Sequence, residues 1–219
     1  MSDRLERFTA LGGVLAVVLW AAGVAISGGG HLGLPGGIPE ESADEVLAHF
    51  RENADAVVSG GWLFMLGGLA FLWFAGILRG RLAVAEGGTA TFASIAFAGG
   101  VATGVFALGI PTGGVVAALG VDYIGAPEAA TLNALEAAFF IGAELSAIVL
   151  LAAAAAVALR TAALPRWWAA ASILLAVWLV IGPIGWIGLL AGLPAWTVVT
   201  CVLLLRPTPR PSIAAAERG

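Results

Sequence analysis

Long apolar runs alternate with short polar segments along this chain, and each run ends at glycine, proline or arginine. Residues 8–27 form the first run, long enough to cross a hydrocarbon layer ~30 Å thick. It exceeds the apolar core of a signal peptide and ends in a poor cleavage site, so it reads as a retained span. Residues 57–78 are the second run, closed by Arg79-Gly80-Arg81. The third starts near Thr91 and reaches Ile110, where Pro111 interrupts it, yet the chain stays apolar to Val121. The fourth covers 128–159. The third and fourth are longer than the ~20 residues a span needs. They predict an antiparallel hairpin projecting beyond the bilayer, with a proline kink in its first arm. A fifth run over 166–182 and a sixth over 185–205 flank Gly182-Pro183-Ile184-Gly185, the expected turn.

One segment has a different pattern. Between the glycine- and proline-rich stretch 28–39 and the second run, Ala43, Val46, Leu47, Phe50 and Ala54 recur at helical spacing among acids. Ser42 and Glu45 fit a capping box, in which serine accepts from the third amide and glutamate from the backbone amide of the serine itself. A short amphipathic helix over 42–54 is predicted, lying on the membrane or over the bundle. The expected fold is therefore all-α: a polytopic membrane bundle of six transmembrane helices in a single domain, 1–206, with a disordered cytoplasmic tail, 207–219.

Composition supports the class. Hydrophobic residues make up 60% of the 219 and charged residues only 11%, against about 25% charged in soluble domains. All ten basic residues are arginine, so lysine chemistry such as Schiff bases and phosphate-loop lysines is excluded. The single cysteine, Cys201, lies in an apolar run and reads as a core residue.

Six spans put both termini on one side, and the arginines test this. Arg4, Arg7, Arg79, Arg81, Arg160, Arg166, Arg206, Arg210 and Arg218 fall on the side of the termini, and only Arg51 falls opposite. The positive-inside bias then makes the termini cytoplasmic, in a cytoplasmic (inner) membrane. Trp62, Trp167, Trp168 and Trp186 fall near expected span ends, as an aromatic belt would. The outer segments are acidic, the pattern left when arginines are excluded from outer loops.

Candidate chemistry is sparse. Counting back from Arg160 places Glu144 inside the outer half of the membrane and Glu136 at or just above the outer interface. The two lie within ~80° of each other on one helix, and Asn133 shares their stripe. With the hairpin turn near Gly125, Glu136 falls opposite Gly113-Gly114. A carboxyl at bilayer depth faces the bundle interior and pairs, titrates or lines a path. No basic residue is expected at that depth, which favours a neutral acid or a bound cation. Glu144, Glu136, Asn133 and Asp122 are the candidate ligand- or ion-binding residues. His31 and His49 are expected outside the membrane, as surface histidines without metal-site spacing. No cofactor, resident metal or nucleic-acid partner is indicated. Gly100 with Gly104, Gly109 with Gly113 and Gly188 with Gly192 have helix-packing spacing. They suit contacts within the bundle, with a membrane partner, or with a second copy.

The layout resembles the six-span bacterial membrane proteins grouped as domain of unknown function 4386. The likeness lies in the outer helix over 46–53 leading into a glycine-containing second span, in Leu78-Arg79 ending that span, and in Leu164-Pro165-Arg166 opening the fifth. It implies a membrane protein without assigned activity and carries no functional residues over. The function expected is that of a non-enzymatic binding or accessory protein in the membrane. The alternative is a small proton- or cation-linked transporter or channel using an intramembrane glutamate.

Overall fold

The computed structural model describes residues 11–27, 42–161 and 164–205. The described residues are helical, without strands. In order the helices are α1 (Gly12–Ile26), α2 (Ala43–Glu52), α3 (Ala54–Glu86), α4 (Thr91–Gly109), α5 (Thr112–Leu119), α6 (Ala126–Thr161), α7 (Arg166–Val180) and α8 (Gly182–Ile187). A π-helical turn (Gly188–Gly192) then leads into α9 (Leu193–Leu204). Four stretches are long and apolar enough to cross a bilayer: Ala54–Glu86, Thr91–Leu119, Ala126–Thr161 and Ile184–Leu204. They make this a membrane-embedded helical bundle. α1 and α7 are apolar but have only 15 residues each. The expected tail, the segment carrying His31, and Arg4, Arg7, Arg206, Arg210 and Arg218 lie outside the described residues.

α6 is the hub. Its 36 residues extend about 54 Å at the rise of an α-helix. It packs on α4 and α7, and at its start on α2 and α5. Alanine from Ala152 to Ala156 and Ala158 keeps its C-terminal half slim, so Leu150, Leu151 and Val157 are completely enclosed. α1 lies along α3, where Gly23 and Gly60 bring the two backbones together. The glycines singled out by spacing are used inside the chain. Gly104 lies against Leu72, Gly109 against Phe139, Gly113 against the Leu132 carbonyl and Gly192 against Leu175.

Several boundaries differ from expectation for identifiable reasons. α3 runs past Arg79-Gly80-Arg81 because arginines are good helix formers and Gly80 has open space around it. It stops at Gly87, which has a left-handed φ of 64°. Glu86 then reaches forward, accepting from the amides of Phe92 (3.0 Å) and Ala93 (2.8 Å), and so caps α4. The expected turn at residues 182–185 is helical instead. The chain reverses at Ile181 (ψ 81°), and Pro183 falls in the first turn of α8, where its missing N–H costs nothing. Trp168 is not in a surface belt. It is fully buried, and its indole N–H donates to Thr200 Oγ1 at 2.9 Å, as that of Trp196 does to Ser172 Oγ at 2.8 Å. These bonds join α7 to α9. Cys201 is buried, as its setting suggested.

The arginine ends of several helices lie together. Arg81 donates to the Leu204 carbonyl (3.3 Å), tying the end of α3 to the end of α9. The Arg160 guanidinium lies 4.2 Å over the Phe92 ring, at the start of α4. At the opposite end, α2 closes over the bundle. Val46, Leu47 and Phe50 pack with Val57, Ala117, Ala118 and Ala129 in a small core of their own. The Ser42–Glu45 capping box is formed, with the Ser42 amide donating to Glu45 at 2.6 Å.

Candidate functional site

The proline kink builds the site. Pro111 lacks an N–H, so α4 ends at Gly109 and a new helix, α5, starts at Thr112. The first amides of α5 have no acceptor within their own helix. Gly114 is the third residue of α5, and its N–H donates to Glu136 Oε1 on α6 at 2.6 Å. Glu136 therefore caps a neighbouring helix. An anion is favoured at a helix N-terminus. A Cβ at Gly113 would strike the Leu132 carbonyl, and one at Gly114 would lie 2.7 Å from Glu136 Oε1. Glycine at both positions is what allows α6 to approach this closely. The expected register, Glu136 opposite Gly113-Gly114, is the one observed.

Glu136 is nevertheless far less exposed than an interface residue would be: 4% of its surface is accessible. The sequence placed it at or just above the outer interface and did not reveal its cover, which is α2. Beneath α2 lies a cavity of about 30 Å³ lined by Glu136, His49, Ser27, Phe50, Gly114 and Pro111, among others. Asn53 Nδ2 lies 3.3 Å from His49 Nδ1 and also donates to the His49 carbonyl at 3.1 Å. With the amide donating, Nδ1 is the acceptor and the ring proton belongs on Nε2. The cavity thus joins an acid, an imidazole and a hydroxyl. Its volume is that of one or two waters or a small ion.

Glu144 occupies a different setting. It is 7% exposed, Oε1 has no hydrogen-bond partner, and the carboxyl is pressed against Gly185 in α8. It therefore faces the reversal between α7 and α8 rather than the glycines of α5. It lies 16 residues from Arg160, about 24 Å along the helix, whereas the 15 residues of α7 rise about 22 Å from Arg166. The hairpin tip thus reaches the level of Glu144. Between the two acids on α6 lies Phe140, 1% exposed.

The other candidates are not gathered in. Asp122 is exposed in the turn between α5 and α6 and does not line the cavity beneath α2. Asn133 is partly buried with Oδ1 unpaired, and it does not line the cavity either. Among the described residues no group of three or more His, Cys, Asp or Glu side chains could hold a metal ion. Sequence reasoning missed the juxtaposition of His49 and Ser27 with Glu136. One signal was present: His49 precedes Phe50 and flanks the apolar face of α2, so it sits at the edge of whatever that face covers.

No family model, no curated protein and no solved structure matches the chain.

Proposed function

We propose that this chain is a six-span protein of the cytoplasmic membrane, with cytoplasmic termini, that acts as a binding or accessory protein and not as an enzyme. Its binding site is the outer cavity beneath α2. The observation that carries this reading is the buried Glu136 carboxylate, fixed by the Gly114 amide and opening with His49 into one small polar space. α1 and α7 supply the two shorter spans, and the arginine ends of α3 and α6, with Arg166 at the start of α7, supply the cytoplasmic face. A small cation or protonated group suits the site. A larger partner would dock on α2 or on the outer face of α3, where Gly76 and Gly80 have no neighbour within 4 Å. The resemblance to domain of unknown function 4386 fits this architecture and adds no activity.

A second reading, proton- or cation-linked transport, is favoured by one feature: the unpartnered Glu144 carboxyl at a helix break, the kind of place where transporters hold coupling ions. Phe140 speaks against a path joining the two acids. Proteoliposomes with an internal pH dye and imposed sodium, potassium and proton gradients separate the readings. The binding reading expects leak no faster than in protein-free vesicles, for the natural chain and for Glu136→Gln and Glu144→Gln alike. Flux that Glu144→Gln abolishes would establish transport instead.

A further inference from the structure

α1 and α9 meet at one end and part at the other. Gly13 is in tight contact with Cys201 and Thr197, so tight that a Cβ there would lie 2.5 Å from the Cys201 sulfur. Further along, Val17, Ala21 and Val24 of α1 stand across a gap from Leu190 of the π turn and Pro194 of α9. The gap is a cleft of about 120 Å³, floored by Thr103, Ala107, Phe140 and Ala143 of α4 and α6. Its floor is buried, while Ala21 is exposed and Val24, Leu190 and Pro194 are partly exposed. It therefore opens sideways from the bundle, in the direction of lipid. The π turn contributes to its shape: Gly188 and Gly192 lean on α7 while Leu189 and Leu190 turn to the cleft.

We propose that this cleft takes the end segment of one acyl chain of a bilayer phospholipid, the rest of that chain lying in the mouth. Water is a poor occupant, because it needs two to four polar partners. The Thr103 hydroxyl donates to the Gly99 carbonyl at 2.8 Å, and the pyrrole edge of Trp20 is turned to Gly67. An empty cleft would forfeit dispersion contacts along its whole lining. A helix from a second copy is ~10 Å across and cannot enter a space of this volume. A hydrocarbon chain is slender and apolar, and in a bilayer the surrounding lipid would bring one to the mouth.

This inference rests on membrane embedding and not on the roles of Glu136 or Glu144. The test uses the full chain in nanodiscs of phospholipid brominated along the acyl chain, since bromine quenches tryptophan at contact. The Trp20 signal is the difference between the natural chain and Trp20→Phe. Trp62 and Trp73, 59% and 64% exposed, report ordinary lipid contact in the same sample. Quenching of Trp20 is expected, and it is lost when Ala107→Phe or Ala143→Phe fills the cleft. Native mass spectrometry is expected to find one retained phospholipid on the natural chain and none on the filled variants. Trp62 and Trp73 quenched with Trp20 spared would overturn the cleft proposal. All three spared would overturn the embedding beneath it.

Discussion

Replacing Glu136 in two ways separates its charge from its hydrogen bond. Alanine removes the acceptor and leaves the Gly114 amide buried without one, which costs about 1–3 kcal/mol. Glutamine keeps an acceptor oxygen and loses only the charge, so its cost is nearer ~1 kcal/mol. Reversible unfolding in mixed micelles should rank the natural chain above Glu136→Gln and Glu136→Ala last. Equal stability of all three would mean that the carboxylate does not cap α5. At this scale the sequence was only partly legible. Depth and register follow from counting along a helix, so Glu136 opposite Gly113-Gly114 could be read. Burial could not, because it depends on where α2 lands. The neighbour of Glu144 was hidden for a similar reason: Gly185 carries no side chain and was expected in a turn.

α2 was the most legible element. Its apolar stripe and its capping box are local patterns, and both are formed. Because α2 roofs the cavity, its stability should govern access to Glu136. Ser42→Ala removes the side-chain acceptor of the Glu45 amide and should cost about 1 kcal/mol of helix stability. Hydrogen exchange should then show faster exchange confined to the amides of α2, with α6 protected as before. Unchanged exchange in α2 would mean that packing of Val46, Leu47 and Phe50 alone holds the roof. The α7–α8 reversal was the least legible element. Glycine and proline mark turns and helix starts equally well, and here the reversal falls one residue earlier, at Ile181. The π turn has no composition of its own and could not be read at all.

Across the whole molecule, the helical membrane class followed from composition and run length, because so much apolar sequence leaves no soluble alternative. What composition could not supply is the division of the bundle into a larger core centred on α6 and a smaller cap built from α2, α5 and the start of α6. That division rests on Pro111, which ends one helix, and on Glu136, which caps the next. The central claim is that the cavity between these parts opens to the outside. Its most direct test is thiol labelling of Ser27→Cys in intact cells with a membrane-impermeant methanethiosulfonate. The one native thiol, Cys201, is buried and should stay silent. Tyr123→Cys, at a position 91% exposed in the α5–α6 turn, serves as the outer reference. The account predicts that both introduced cysteines label from outside, Ser27→Cys more slowly than Tyr123→Cys and faster when Ser42→Ala loosens α2. Labelling of Tyr123→Cys from outside with Ser27→Cys inert, or labelling of either only after the membrane is breached, would contradict it.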